Sequence, residues 1–359
     1  VKKINWPRVW QQRRGLNYLL LPLAWLYALI NTIHRGLYGC RWRSRYQSPR
    51  PVVVVGNIHA GGAGKTPLVI GLGRLLKDNQ IQVAVISRGY GGDYRRQCAA
   101  HLVQTTDEAT WVGDEAWLIH HRLQCPVIVG QTRQAAIELA LKKHPEIQVF
   151  LSDDGLQHYR LLPDLTVCVI PYPDGLGNGW RLPAGPLREA PSRLKSMDFV
   201  VSNGGASERY HYQLAENGWM HLTTGQRKYP DEFSANAEQN LAIAGIANPQ
   251  KFFDRVTAQG IMAKTQSLPD HVDYRHITLP ADKTLLMTEK DWVKLRPAPY
   301  PDAWFLSVSA VLSEALAADF LRAVQALMPK AAENFAKNTP VMDSKDEANQ
   351  TNQTNHDTN

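Results

Sequence analysis

The segment His59-Ala60-Gly61-Gly62-Ala63-Gly64-Lys65-Thr66 has the residue types needed to hold a polyphosphate. Its glycines let backbone N–H groups curl around phosphate oxygens. The helix predicted to begin here adds the positive end of its dipole, Lys65 a mobile cation, and the Thr66 hydroxyl a magnesium ligand. The apolar run Val52 to Val55 precedes the loop, and Pro67-Leu68-Val69-Ile70-Gly71-Leu72 follows it. Buried strand, glycine loop, Lys-Thr and helix is the order of a P-loop. His59 stands where such loops usually carry their first glycine, and Gly61 and Gly62 supply the flexibility later in the loop.

Val149-Phe150-Leu151 leads into Ser152-Asp153-Asp154-Gly155, an apolar strand ending in acid, the pattern of a carboxylate that serves a nucleotide-bound magnesium. A strand sends adjacent side chains to opposite faces, so one acid can address the metal while the other orients a water or a loop. His158 lies close behind this pair. Asp114 and Glu115, in Val112-Gly113-Asp114-Glu115, open a predicted helix; their pattern alone favours a helix cap with a first-turn acid. His271, between Asp270 and Asp273, has the setting of an exposed loop histidine.

These groups need a scaffold. Short apolar runs at Val52–Val55, Gln82–Ile86, Pro126–Val129, Val149–Leu151 and Leu165–Ile170 alternate with helical stretches, which predicts a doubly wound parallel sheet. The P-loop, Arg88 and Asp153-Asp154 all fall at carboxyl ends of those strands, where such sheets build their sites. The Pro- and Gly-rich stretch from 171 to 191 reads as a functional loop. Short antiparallel strands are expected over 207–230. A second, smaller α/β unit follows, with strands at 241–244, 284–287 and 304–308 and helices at 249–259 and 312–328. The expected organisation is an N-terminal segment over 1–50, a P-loop domain over 51–205, a smaller domain over 206–330 and a polar, disordered tail over 331–359.

The net charge of +7 is unevenly placed. Residues 1–50 hold ten Lys or Arg and no acid, so the remainder is net acidic. Between basic flanks lies the apolar run Leu16 to Ile30, shorter than the ~20 residues that span a bilayer. Cations on both sides argue against a clean span and no small-residue cleavage site follows, so a signal peptide is not expected. Four of the ten tryptophans, Trp6, Trp10, Trp25 and Trp42, sit here. The reading is a helix lying in an anionic membrane surface; a buried core helix is the alternative, and the apolar run counts against nucleic acid. The four cysteines are scattered without a Cys-x-x-Cys pair, which excludes a disulfide framework or zinc site by pattern.

Taken together, Gly61-Gly62-Ala63-Gly64-Lys65-Thr66-Pro67, Ser87-Arg88-Gly89-Tyr90-Gly91, Val112-Gly113-Asp114-Glu115, Ser152-Asp153-Asp154-Gly155-Leu156-Gln157-His158, Leu182-Pro183-Ala184-Gly185-Pro186-Leu187-Arg188-Glu189, Asp270-His271 and Thr288-Glu289-Lys290-Asp291 resemble the tetraacyldisaccharide 4′-kinase family of lipid A biosynthesis. The resemblance runs in order from the N-terminal segment to about residue 328. It implies transfer of the ATP γ-phosphate, with Mg2+, to the 4′-hydroxyl of an acylated glucosamine disaccharide 1-phosphate, at the cytoplasmic face of a Gram-negative inner membrane, with no nucleic acid and no obligate protein partner. It also implies Asp114 as base with His271 as its dyad partner, His59 to Thr66 on the nucleotide, Thr66, Asp153, Asp154 and Glu189 in the metal region, and Arg88, Tyr90, Glu115, Gln157, His158 and Arg188 around the substrates. Two rivals are a nucleotide-switch ATPase or GTPase and a non-enzymatic membrane adaptor. Thr288-Glu289-Lys290-Asp291 has the wrong Lys–Asp spacing for a GTPase guanine motif, and the acid–histidine elements exceed what an adaptor needs.

Overall fold

The computed structural model describes residues 6–40, 44–246, 248–269, 274, 277–295 and 300–338. The chain begins with α1 (Trp6–Val9), α2 (Leu16–Leu19) and α3 (Leu21–Gly39). The first half follows as β1 (Val52–Gly56), α4 (Lys65–Asp78), β2 (Val83–Ser87), β3 (Ala100–Leu102), α5 (Ala109–Val112), α6 (Asp114–Leu123), β4 (Val127–Gly130), α7 (Arg133–Lys143), β5 (Val149–Asp153), β6 (Leu165–Pro171) and β7 (Phe199–Asn203). The second half comprises β8 (His211–His221), β9 (Arg227–Lys228), β10 (Asn240–Ala244), α8 (Pro249–Ala258), β11 (Lys264–Ser267), β12 (Thr284–Thr288), α9 (Glu289–Leu295), β13 (Ala303–Leu312) and α10 (Glu314–Asn338).

The strand order is β11-β10-β12-β13-β8-β7-β6-β1-β5-β2-β4-β3, with β9 paired to β8. β1 is the centre of the first half. Its valines alternate, Val53 and Val55 into the core beneath α4, Val52 and Val54 into the core shared with the α7 residues Ala136, Ile137 and Ala140. A strand apolar on both faces must be covered on both, which is why the run reads as continuous valine. β5 inserts between β1 and β2, and β6 and β7 continue on the other side of β1. The carboxyl ends of β1, β5 and β2 therefore stand side by side.

The two α/β units expected from the sequence are halves of one sheet. β7 ends the first half as an edge, and β8 takes that edge with only two residue pairs, Ser202–His211 and Asn203–Tyr212. An unpaired edge is a liability that proteins cover. β8 then pairs antiparallel with β13 from Tyr212–Leu312 to His221–Trp304, and β13 continues into the parallel β12-β10-β11 set. Ion pairs join α6 to α9 across the seam: Glu115 to Lys290 at 2.6 Å, Asp114 to Lys294 at 3.8 Å, and Arg122 to Glu289.

The N-terminal apolar run is broken at Leu20, and its second piece extends as α3 to Gly39, beyond the expected Ile30. Among the described residues no helix is long and apolar enough to cross a membrane. α3 nevertheless exposes Leu23, Trp25, Leu26, Leu29, Ile30 and Ile33, each more than half accessible, while Ala24 is buried. Its polar edge is tied to the Pro- and Gly-rich loop by Asn31 Nδ2 to the Arg188 carbonyl at 3.0 Å and by Arg181 to the Ala28 carbonyl at 3.1 Å. At the other end, α10 carries helix through Asn338, past the expected start of the tail at 331; residues 339–359 lie outside the described residues.

Candidate active site

Gly64, at the N-cap of α4, has φ +83°, a conformation open to glycine at little cost. A Cβ there would stand 2.2 Å from Asn203 Nδ2 and 2.3 Å from the Tyr212 hydroxyl. Those two groups hold the loop: Asn203 donates to the Ala63 carbonyl at 3.1 Å and Tyr212 to the Gly64 carbonyl at 2.6 Å. The opposite side is stitched by Ala60 N–H to the Pro186 carbonyl at 2.7 Å, and Arg188 N–H meets the Ile58 carbonyl at 2.7 Å. His59 pairs with Leu187 through a bridge, and burial lowers its pKa, so its imidazole is neutral at pH 7. The histidine in the unusual first position is thus a wall of the loop, braced on the strip before Arg188.

Lys65 Nζ lies 3.4 Å from Asp154 Oδ1 and 3.5 Å from Asn57 Oδ1. Asp154 also faces the Arg188 guanidinium at 3.8 Å. It stands just past β5 with φ +47°, which turns it away from the strand's continuation. Asp153, the last residue of β5, goes the other way and is buried. Burial, reinforced by Glu115 and Asp154, pushes its carboxyl well above the usual carboxylate range. Beneath it lies Arg133, a buried guanidinium donating to Ser152 Oγ at 3.1 Å and to the Asp153 carbonyl. Burial lowers Arg133 to about 10, so it remains charged at pH 7. The division between the two acids therefore has a structural basis, one inside on Arg133 and one outside on Lys65.

Asp153 Oδ1 is buried without a hydrogen-bond partner among the described residues. An orphaned carboxylate oxygen on β5, at the level where β1 ends before the P-loop, fits a hard cation. Among the described residues no group of three His, Cys, Asp or Glu forms a ready-made cage. That suits Mg2+, which keeps waters and uses one or two carboxylates plus substrate phosphates. Glu189 is placed differently: it accepts from Gln157 Nε2 at 3.0 Å and faces Arg193 at 3.3 Å. Gln157 also donates to the Asn57 carbonyl at 2.9 Å, so Glu189 reaches the P-loop through that amide. His158 is pulled down to about 4 by burial and by Arg133 and Arg88, and is neutral at working pH.

Asp114 is buried in the first turn of α6. Gly113 before it has φ +91°, and a Cβ there would meet the Tyr90 carbonyl at 2.8 Å. The glycine thus lets the Ser87–Gly91 loop, which carries Arg88 and Tyr90, and the start of α6 pack backbone to backbone just before Asp114. Those two side chains are exposed. Asp114 follows the N-cap Gly113 as the first residue of α6, a first-turn acid and not the cap expected from the sequence; its Oδ1 accepts from the Glu115 N–H at 3.0 Å and its Oδ2 faces Lys294. His271 lies outside the described residues. Tyr274, three positions on, donates to Asp291 Oδ1 at 2.9 Å.

Several residues here were not singled out from the sequence: Asn57, Arg133, Asn203, Tyr212, Asp291 and Lys294. Asp291 had a local signal. Thr288 has the place of a helix cap, accepting the Asp291 N–H on its Oγ1 at 3.2 Å and donating that hydroxyl to Asp291 Oδ2 at 2.6 Å. Asn203 and Tyr212 act on carbonyls far away in sequence and had none.

The family model for tetraacyldisaccharide-1-P 4′-kinase matches residues 16–325. The chain belongs to that family. A tetraacyldisaccharide 4′-kinase of Thiobacillus denitrificans is 41% identical over 320 residues, covering 86% of this chain and 95% of the relative. The structure of LpxK from Aquifex aeolicus, in complex with ATP, matches with TM-score 0.73 and 26% identity over 88% of this chain and all of that one. Family membership makes the protein an ATP-dependent kinase that phosphorylates the 4′-hydroxyl of a tetraacylated disaccharide 1-phosphate in lipid A biosynthesis, with ATP taken as its Mg2+ complex.

The clamp on the P-loop makes a first prediction. Tyr212→Phe should cost about 1 kcal/mol of stability, the worth of one net hydrogen bond. It should also raise the KM for ATP more than it lowers kcat, because the Gly64 carbonyl loses its tether while Lys65 stays. Melting temperature and steady-state kinetics check both; an unchanged KM would mean that packing alone holds the loop.

Proposed function

We propose that the acceptor hydroxyl is activated by Asp114, that His271 completes a dyad with it, and that the protein works on a membrane surface through α2 and α3. The observation that carries the reading is the buried Asp114 carboxylate at the start of α6, on a turn packed against the Gly89–Tyr90 backbone, with Lys294 behind it. α9 supports the dyad twice: Lys294 faces Asp114, and Asp291 anchors the segment that follows His271. Lys65 and the loop N–H groups hold the β- and γ-phosphates and neutralise charge as the phosphoryl group moves. Thr66 and Asp153 would hold Mg2+, which when bound would supply further charge neutralisation at the phosphates. Asp154, between Lys65 and Arg188, fixes the lysine, and Arg188 stands towards the acceptor. Catalysis rests on positioning and electrostatics more than on proton transfer.

The acceptor carries acyl chains, and α2–α3 offers exposed Leu19, Leu23, Trp25 and Leu26. The same α3 touches the Arg188 carbonyl through Asn31. Surface attachment and orientation of Arg188 are thus coupled in one helix. The inner membrane, cytoplasmic face, is the location this reading requires. The domain limits 51–205 and 206–330 are retained as functional units, joined through β8 and β13.

The test is vesicle binding by variants of α2–α3. Replacing Leu19, Leu23 and Leu26 by serine should weaken binding to anionic vesicles at every salt concentration, because buried apolar area is unscreened. Neutralising the basic flank Arg41, Arg43 and Arg45 should weaken it mainly at low salt, each charge contributing about 1 kcal/mol at most. Arg41 and Arg43 lie outside the described residues. A protein lacking residues 1–36 should still bind ATP and act poorly on bilayer-presented acceptor. Loss of ATP binding in that protein would show a core helix and defeat the anchor reading.

A further inference from the structure

A second cavity, of about 460 Å³, lies where the two halves meet, lined by α4, α6, α9, β8 and β13. Three guanidiniums reach it, Arg74 from α4, Arg122 from α6 and Arg227 from β9. The carboxylate at its wall, Glu289, is already paired with Arg122. Arg122 further donates to Ser307 Oγ at 3.3 Å and the Val308 carbonyl at 2.9 Å. Neither Arg74 nor Arg227 has a hydrogen-bond or ion-pair partner among the described residues. Burial first and the nearby Arg122 second lower the Arg74 pKa, and Glu289 and Asp78 offset them only in part.

The remaining polar lining is rich in donors. Ser309 Oγ donates to Asn217 Oδ1 at 3.2 Å, which leaves the Asn217 amide group with N–H to offer. The β8–β13 ladder slips between Leu306 and Val308, and Gly218 there has φ +93°. Such bulges re-aim side chains and are frequent beside sites. Here the bulge falls at Asn217 and Ser307, both at the cavity. Three guanidiniums and one engaged carboxylate line the cavity, with Asp78 acting on Arg74 from outside the lining, so the wall itself is net cationic.

We infer that this cavity binds a phosphate-class oxyanion, held by Arg74 and Arg227 with Arg122 behind them, and that the anion fastens the two halves together. A dianionic tetrahedral oxyanion matches the charge and offers only acceptors to a donor-rich wall. No residue of α1–α3 lines the cavity, which favours a soluble anion over a lipid headgroup. The site is separate from the P-loop, since Arg74 lies on α4 two and a half turns beyond Lys65.

The experiment uses full-length protein and inorganic phosphate as probe. Lys65→Ala removes the P-loop as a competing phosphate site. Phosphate, at constant ionic strength, should still raise the melting temperature of this variant in a saturable way. Adding Arg74→Gln and Arg227→Gln should weaken the apparent affinity by about ten-fold for each guanidinium removed, the loss expected for a charge-assisted hydrogen bond. Arg227 is exposed, so Arg227→Gln alone tests the site without threatening the fold. Phosphate stabilisation that vanishes with Lys65→Ala alone, or that survives unchanged in the arginine variants, would overturn the inference. An equal response to chloride would do the same, since it would show general screening.

Discussion

Lys65→Ala should abolish phosphoryl transfer and leave a folded protein. The lysine lies within 3.5 Å of both Asp154 and Asn57 at the mouth of the loop. Losing a single preorganised donor to a developing oxyanion costs about 10²–10³-fold in kcat, and a charged donor at the γ-phosphate should cost at least as much. The fold should survive because the loop backbone is held by Asn203, Tyr212 and Pro186 and not by the lysine. Asp154 would keep Arg188 as its neighbour, so no buried charge is stranded. Near-normal kcat in a folded variant would refute the P-loop assignment.

Asp114→Asn separates the two roles open to that residue. Asparagine keeps an oxygen to accept the Glu115 N–H and so keeps the local hydrogen bond of the first turn, but it cannot take a proton. If Asp114 is the base, kcat should fall about 10²–10⁴-fold with little change in the KM for ATP. If it is a first-turn acid alone, turnover should persist, and Asp114→Ala should cost about 1 kcal/mol of stability instead. His271→Ala should reproduce the loss, and the double variant should be little worse than either single one, because residues acting as a unit are not additive. Multiplicative losses would sink the dyad.

The parts of this site that were legible in the sequence are those whose chemistry is local. The glycines, Lys65 and Thr66 sit within one turn of each other, and the valines of β1 announce a strand buried on both faces. The acid pair was legible for the same reason, although Arg133, which holds Asp153 from below, belongs to another helix and gave no sign. Tyr212 and Asn203 were invisible because a hydroxyl or amide reaching a distant carbonyl has no pattern along the chain. The split into two units was drawn from the alternation of elements. It missed the continuity of the sheet because β8 meets β7 at only two residue pairs. The acid at the head of α6 was read as a cap, but Gly113 holds that place and Asp114 follows it as a first-turn acid; its second oxygen, facing Lys294, could not be seen.

The placement of β13 against α4 has a consequence for how the protein is made. Gly71 sits so close to this strand that a methyl group there would stand 3.2 Å from Ala310 and 3.3 Å from Leu312. Leu316, Phe320 and Val324 of α10 join the same core. All of these leave the ribosome long after α4 does. At about 5–20 residues per second, the wait is roughly 10–50 s. Through that interval the nascent helix bearing Lys65 has an apolar flank facing water, and the hydroxyl of Tyr212 has no finished ribbon behind it. The first half is therefore the earlier part to be synthesised and the later part to be completed. A ribosome stalled before residue 303 should carry a chain whose α4 is open to proteases and chaperones, and release past α10 should close it.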